Sequence, residues 1–259
     1  MLNKVYPLIA YLAYWLKKED KYSLQSPLLF NTYQNLFSFI EARKNEDLEI
    51  EAYRNRLLTS DEIIEVEDFG AGSKSVNTTS RRVADITKFS TSNRKFAQLY
   101  QFFCSLTPNQ TVLELGMCMG ISSRYLSKGT KGEVYTFEGS KEIARVAQPE
   151  QGYENLHLVV GNLIQTLPKT LEKIDVVDFA LIDATHTYEG TITYFEQILS
   201  KTHSKSIIAI GDIHWSGEME KAWKEIKSKT EVKLCLDFYE CGIVFFGYPG
   251  EKAEYILDF

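Results

Sequence analysis

The sequence predicts an α/β protein in which helices cover both faces of a mostly parallel β-sheet, preceded by a mainly helical N-terminal cap. The chain has 259 residues, of which 44% are hydrophobic and 25% charged, as is typical of a globular protein and not of a disordered one. After residue 95, short apolar segments alternate with amphipathic ones, which is the pattern of a parallel sheet. Near the C-terminus two apolar segments flank a short turn, which predicts a hairpin and one antiparallel strand.

The change of pattern near residue 95 divides the chain into two predicted parts. Residues 1–95 form the cap and carry 14 basic and 13 acidic side chains, whereas residues 96–259 form the α/β domain and carry 15 and 22. The α/β domain therefore has a net charge of −7 and the cap one of +1, which together give the −6 of the chain. An acidic domain is not typical of a nucleic-acid-binding protein, so we expect no nucleic-acid partner.

The cap begins with an apolar segment, Val5–Leu16, whose 12 residues are too few to span a bilayer, which takes about 20. We expect an amphipathic helix that packs on the rest of the chain or on a second subunit, which allows for a homodimer, and no membrane partner. Polar and aromatic stretches at Tyr33–Arg43 and Asn45–Leu58 predict two more helices. Four scattered cysteines without a CxxC pair indicate a reducing, cytoplasmic compartment.

The α/β domain contains seven predicted strands, which give a seven-stranded sheet whose last strand is antiparallel. The strands are Thr111–Leu115, Glu133–Phe137, Leu156–Val160, Val176–Ile182, Ser206–Ile210, Val232–Phe238 and Ile243–Phe246. The predicted helices are Phe96–Leu106, Ile121–Ser127, Lys141–Gln148, Tyr188–Ser200 and Gly217–Lys227.

Two glycine-rich turns compete for a nucleotide site. A cofactor loop needs a strand before it, a helix after it and an acidic residue at the end of the next strand. The loop Gly116–Gly120 meets all three conditions, since Glu138 ends the next strand. The turn containing Gly70 and Gly72 is followed by a Ser/Thr-rich segment, so we interpret it as a turn only.

The preferred loop departs from the dinucleotide-binding pattern. It has the form ExGxxxG, with Cys118 where a middle glycine would let the backbone approach a pyrophosphate. Glu114 would also bring a negative charge close to that pyrophosphate. A nicotinamide oxidoreductase is therefore disfavoured, and a cofactor with a positive amino and sulfonium end fits better.

Four motifs in this order along the chain resemble those of the class I S-adenosylmethionine-dependent methyltransferases. The motifs are Glu114–Ser122, Glu138, Gly161-Asn162 and Asp183, each after a successive strand, and the likeness spans about residues 96–248. The loop is similar to that of the catechol O-methyltransferase group. The resemblance implies a Rossmann-like fold and S-adenosyl-L-methionine as cofactor.

The resemblance also implies roles for individual residues in cofactor binding. Gly116 and Gly120 would let the backbone approach the cofactor, and Gly161 would precede the adenine contact. Glu114 and Asp183 would lie by the methionine end, Ser122 would bind its carboxylate, Glu138 would accept the ribose hydroxyls and Asn162 would meet the adenine amino group. Taken singly, Glu138 could instead be a surface acid and Asn162 a turn residue.

Two histidines follow strands at the carboxyl edge of the predicted sheet, where open α/β sheets bind ligands. His186 comes three residues after Asp183, which is where the catechol O-methyltransferase group has its catalytic base. His214 follows the next strand. Histidine titrates near neutral pH and can take a proton from a hydroxyl acceptor. The competing interpretation of His186 is a capping residue at the start of the next helix.

The divalent metal of the catechol-type group is uncertain here, and we predict no metal ligand. That group uses the aspartate after the fourth strand and an acid-amide or double-acid pair after the fifth. Here Gly211-Asp212-Ile213 leaves Asp183 and Asp212 without an evident third ligand. Asp212 could instead orient His186 or contact the acceptor.

We therefore predict a methyltransferase that acts on a small-molecule acceptor, at a hydroxyl oxygen. The segment Ser73–Lys95 carries six basic residues against one acidic residue, and would either hold an anionic acceptor or form a solvated loop. The alternative function is a non-catalytic S-adenosylmethionine-binding regulatory module.

Overall fold

The computed structural model describes residues 2–67, 79–149 and 152–259 of the chain. The turn with Gly70 and Gly72 lies outside these residues, as does most of the basic segment before Ser80. Within the described ranges, no helix is long and apolar enough to cross a membrane.

Ten helices and ten strands occur in the described residues. The helices are α1 (Leu2–Lys17), α2 (Pro27–Ala42), α3 (Leu48–Leu58), α4 (Val83–Ser90), α5 (Arg94–Ser105), α6 (Ile121–Gly129), α7 (Lys141–Ala147), α8 (Leu163–Leu171), α9 (Tyr188–Leu199) and α10 (Gly217–Ser228). The strands are β1 (Ile63–Glu65), β2 (Ser80–Arg82), β3 (Thr111–Leu115), β4 (Glu133–Glu138), β5 (Leu156–Val160), β6 (Phe179–Ile182), β7 (Ile207–Gly211), β8 (Leu234–Asp237), β9 (Cys241–Phe245) and β10 (Ala253–Ile256).

The central sheet confirms the predicted fold class but has eight strands, so the predicted number of seven is wrong. Its order is β10-β8-β9-β7-β6-β3-β4-β5. The extra strand, β10, pairs with β8 in parallel. The strand predicted to be antiparallel, Ile243–Phe246, corresponds to β9, which is antiparallel to both of its neighbours. With four residues, partly exposed, β10 has too weak an apolar pattern to be recognised from sequence.

Alternating residues of each strand enter two apolar cores, one on each face of the sheet. Val112 and Leu181 belong to the core under α5 and α6, whereas Leu113 and Ile182 belong to the core under α8, α9 and α10. This two-sided burial explains why the central strands are apolar at almost every position.

The N-terminal part packs directly on the α/β domain. Leu29 and Leu36 of α2 lie in the same core as Leu99 and Leu181. The boundary at residue 95 stays a prediction. Part of the basic segment is folded, since α4 buries Val83 and other residues, so a solvated loop is wrong for residues 83–90.

Candidate active site

A cavity of about 600 Å³ opens at the carboxyl ends of β3, β4, β6 and β7. The strand order reverses beside β3, since β4 lies on one side of it and β6 on the other. A crevice at such a reversal is where open α/β sheets bind their ligands.

The Gly116–Gly120 loop approaches the strand β6 end closely. Gly116 has a φ of +98°, and a Cβ atom there would lie 2.2 Å from the carbonyl oxygen of Asp183. Gly120 has a φ of +68°. Both conformations favour glycine, and the space at Gly116 admits no side chain. Gly116 and Cys118 line the cavity, whereas Gly120 is buried beneath it.

Glu138 at the end of β4 also lines the cavity, and its carboxylate is held by backbone amides. The N–H groups of Cys118 and Ser140 each donate to it at 2.9 Å. These two bonds join the end of β4 to the loop after β3 and fix the direction of the carboxylate.

Glu114 lies under the loop and is not among the residues that line the cavity. Its side chain is fully buried and accepts hydrogen bonds from the hydroxyls of Ser123 and Thr136. Its Oε1 atom has no hydrogen-bond partner among the described residues. Burial raises the pKa of Glu114 to about 7.

The third predicted cofactor motif begins α8. Asn162 lines the cavity and caps the helix, since its side chain accepts from the N–H of Ile164 at 3.0 Å. Gly161 precedes it with a φ of +135°. Neither Gly161 nor Ser122, which is partly buried on α6, lines the cavity. The roles predicted for these residues stay predictions.

Asp183, His186 and Asp212 come together at the ends of β6 and β7, and we call them the acidic cluster. Nδ1 of His186 lies 3.7 Å from Oδ2 of Asp212. Gly211 makes room for Asp183, because a Cβ atom there would lie 2.1 Å from Oδ1 of the aspartate. Burial raises the pKa of Asp183 to about 6, and Asp212 adds to the rise, while His186 opposes it.

The acidic cluster also brings together three donors that suit a divalent ion. One ligand atom from each residue lies within 4.8 Å of the other two. The third donor is His186. Sequence reasoning missed it as a ligand because the third ligand was expected directly after Asp212. Two carboxylates and an imidazole fit a transition-metal ion or Zn²⁺ better than a calcium ion.

His214 does not face the cavity. Its Nε2 atom lies 2.8 Å from Oδ2 of Asp237, and its ring stacks on Tyr239 with 5.5 Å between ring centres. These contacts place the side chain in the packing of the β8–β9 turn, and its catalytic role stays a prediction.

The cap supplies a wall of the cavity that the motifs did not indicate. We call this the cap wall, formed by Arg81 and the segment from Lys88 to Asn93. The loop wall is formed by Gly116, Cys118, Glu138 and Asn162. Tyr100, Trp215 and Glu240 also line the cavity.

Left-handed backbone conformations concentrate around the cavity. Among the described residues, seven other than glycine have a positive φ, and four of these line the cavity: Cys118, Thr185, His186 and Asp212. Such conformations cost free energy and persist where the surrounding structure enforces them, which is common at active sites.

A family model described as a methyltransferase domain matches residues 113–213. This range contains the loop wall and the acidic cluster. The match confirms the resemblance carried by the four sequence motifs. No curated protein sequence matches the chain.

Solved structures of methyltransferases share the fold of this domain at low sequence identity. A putative caffeoyl-CoA O-methyltransferase from Staphylococcus aureus has a TM-score of 0.57 at 12% identity, covering 82% of this chain and 98% of its own. An O-methyltransferase from Bacillus cereus in complex with SAH has a TM-score of 0.51 at 17% identity, covering 60% and 82%. TomG from Streptomyces achromogenes, an O-methyltransferase in tomaymycin synthesis solved with SAM, has a TM-score of 0.52 at 15% identity, covering 62% and 83%.

Proposed function

We propose that the protein is an S-adenosylmethionine-dependent O-methyltransferase that acts on a small molecule. The observation that carries this proposal is the convergence of the Gly116 loop, the Glu138 carboxylate and the acidic cluster on one cavity at the reversal of strand order. The methyltransferase family match supports the reaction class, and the structures solved with SAM or SAH support the cofactor.

In this proposal the loop wall binds the cofactor. Two backbone amides fix the direction of the Glu138 carboxylate towards the cavity that it lines. A carboxylate has two acceptor oxygens, which suits the two ribose hydroxyls. Gly116 and Gly120 let the backbone approach the cofactor closely. Ser122 binds the methionine carboxylate, and Asn162 contacts the adenine. Asp183, which lines the cavity, supplies negative charge near the methionine amino group, whereas Glu114 supports the loop from below.

His186 acts as the base, and Asp212 orients it. The bound cofactor supplies an electrophilic methyl group. As the acceptor oxygen forms its bond to the methyl carbon and the carbon–sulfur bond breaks, His186 takes the hydroxyl proton through Nε2. Asp212 lies on the Nδ1 side, 3.7 Å away, where its negative charge stabilises the imidazolium.

A divalent ion in the acidic cluster is the second candidate arrangement, favoured by the three donor atoms within 4.8 Å. Asp183, His186 and Asp212 would hold it, and it would lower the pKa of an acceptor hydroxyl. Full turnover in excess chelator supports His186 as the base, and loss of turnover that added metal restores supports the ion.

We propose an anionic acceptor held by Arg81 and Lys88, the two cap-wall residues that carry positive charge. Of the other basic residues that the structure describes in this segment, Arg82 pairs with Asp61 and Arg94 binds the carbonyl oxygen of Arg43. Caffeoyl-CoA, named for the S. aureus structure, is a suitable anionic probe, with catechol as the neutral control. The net charge of −6 favours a small acceptor over a nucleic acid.

Titration calorimetry with S-adenosylmethionine, followed by an assay of methyl transfer to a panel of hydroxyl acceptors, tests the proposal. We expect binding and acceptor-dependent formation of S-adenosylhomocysteine. Absence of binding at millimolar cofactor contradicts the proposal. Binding without methyl consumption on the panel favours the non-catalytic regulatory module.

We further propose a cytoplasmic homodimer joined by the outer face of α1. The free cysteines support the compartment. Six large apolar side chains of α1 are 45–76% exposed: Leu8, Ile9, Tyr11, Leu12, Trp15 and Leu16. Leu8, Leu12 and Leu16 form an i, i+4, i+8 ridge of the kind that packs against a second helix.

Sedimentation measurements test the dimer. We expect a particle of twice 29.7 kDa, and a monomer for Leu12→Glu. Ile164→Glu is the matched control, because Ile164 is 67% exposed on α8. A monomeric wild-type protein, or an unchanged Leu12→Glu dimer, contradicts the proposal.

A further inference from the structure

The outer side of the cofactor loop is held by two residues that no motif marks. The hydroxyl of Tyr53 on α3 donates to the carbonyl oxygen of Met119 at 3.1 Å. Nη1 of Arg124 on α6 donates to the next carbonyl oxygen, that of Gly120, at 2.7 Å. The Arg124 guanidinium also stacks on the Tyr53 ring, 3.9 Å from the ring centre. One stacked pair thus binds two successive carbonyl groups of the loop.

Further hydrogen bonds hold Arg124 and the helix of Tyr53 in place. Arg124 is 3% exposed, and its Nη2 donates to the carbonyl oxygen of Ala147 at the end of α7, at 3.2 Å. Helix α3 is fixed to α6 by a further bond, in which the hydroxyl of Tyr125 donates to Glu51 at 2.8 Å. Hydrogen bonds from a buried guanidinium are among the stronger ones in proteins, so the position of Tyr53 is well defined.

The inner side of the same loop is held by β4. The N–H of Met117 donates to the carbonyl oxygen of Phe137 at 2.8 Å, and that of Cys118 donates to Glu138 at 2.9 Å. Between the two sets of bonds, Cys118 and Gly120 keep positive φ values of 47° and 68°. A loop in these conformations needs support from both sides to keep one path.

We propose that Tyr53 is a positioning residue for the cofactor, which acts by setting the path of residues 116–120 through the Met119 carbonyl and through Arg124. The inference rests on the proposed function, in which this loop binds S-adenosylmethionine. Since Tyr53 belongs to the N-terminal part, the cap contributes to cofactor affinity as well as to the cap wall.

The next residue provides a matched control. Arg54 lies on the same helix, and its Nη1 donates to the carbonyl oxygen of Ser92 at 2.9 Å, which belongs to the cap wall. Its Nε also pairs with Glu51 at 3.1 Å. Replacing Arg54 therefore weakens the packing of α3 without removing a hydrogen bond to the cofactor loop.

The test compares Tyr53→Phe with Arg54→Met by titration calorimetry with S-adenosylhomocysteine and by thermal melting. Tyr53→Phe keeps the ring under Arg124 and removes the hydroxyl that donates to Met119. We expect it to raise the Kd about two- to tenfold, the usual effect of one lost hydrogen bond. Arg54→Met should lower Tm at least as much and leave the Kd unchanged. An unchanged Kd for Tyr53→Phe, or an equal rise for Arg54→Met, overturns the inference.

Amide hydrogen exchange without cofactor separates this inference from the proposed function. We expect faster exchange at Cys118–Gly120 in Tyr53→Phe than in the wild type or in Arg54→Met. If the wild type fails to bind S-adenosylhomocysteine, the proposed function fails, and the exchange rates alone decide whether Tyr53 holds the loop. Equal exchange in all three proteins overturns that role.

Discussion

The loop wall and the cap wall of the cavity are built in different ways. The loop wall comes from short connections directly after neighbouring strands, and its conformation is fixed by backbone bonds such as those from Cys118 and Ser140 to Glu138. The cap wall comes from a segment that precedes the sheet in sequence and reaches the cavity through α3, where Arg54 binds Ser92. The loop wall follows strand ends and is therefore recognisable from the spacing of its motifs. The cap wall is placed by tertiary packing, and its basic segment left two interpretations open.

We expect the largest change in turnover from a substitution of His186, which lines the cavity with the two walls. In His186→Ala we expect turnover to fall by about 100- to 10,000-fold, the usual contribution of a general base, while the Kd of S-adenosylhomocysteine stays within twofold. Steady-state kinetics and calorimetry measure the two quantities. A fall in affinity as large as the fall in turnover would place His186 in cofactor binding instead.

A second prediction concerns the loop wall at Glu138. Glu138→Ala removes two charge-assisted acceptors for the ribose hydroxyls, so we expect the Kd of S-adenosylhomocysteine to rise roughly 10- to 100-fold. Glu142→Ala is the control, because Glu142 lies nearby on α7 and pairs with exposed Arg145. Unchanged affinity in Glu138→Ala would remove the ribose assignment.

A third prediction concerns the buried acid under the loop. The pKa of Glu114 is raised from 4.5 to about 7 by burial. The folded state therefore favours the protonated acid, so stability is full below pH 4.5 and falls as the pH rises towards 7. Glu114→Gln mimics the protonated form.

We expect Glu114→Gln to melt several degrees above the wild type at pH 8 and at the same temperature at pH 4.5. Thermal melts at the two pH values provide the check. A difference in Tm that is equal at both pH values would show that Glu114 does not titrate in this range.

The smallest effect should appear at the cap wall. Lys88→Gln removes one positive charge from an exposed position, and exposed ion pairs contribute about 0–1 kcal/mol. We expect the KM of caffeoyl-CoA to rise about two- to fivefold and that of catechol to stay the same. Equal changes for both acceptors would contradict the anionic preference.

Much of the loop wall was predictable because a glycine loop, an acid and an amide at successive strand ends need no knowledge of packing. Strand β10 and helix α4 were not, because their apolar patterns are short and α4 lies in a Ser/Thr-rich basic segment. The approach of His186 to Asp212 depends on left-handed conformations at both residues, which side-chain sequence patterns do not reveal.

The position of the Glu114 side chain was also not predictable from the sequence motif. Its place in the loop motif suggested an exposed carboxylate at the cofactor, yet the structure buries it on Ser123 and Thr136. Successive side chains of a strand point to opposite faces of the sheet, so a shift of one residue changes the face that a strand-end side chain occupies. The spacing of the motif does not contain that information.

A crystal structure of the protein grown with S-adenosylhomocysteine tests the central claim most directly. We expect density for the ligand in the cavity, with its ribose hydroxyls on Glu138 and its sulfur facing the His186 side. Density elsewhere, or an empty cavity at saturating ligand, would contradict the assignment of this cavity as the methyltransferase site.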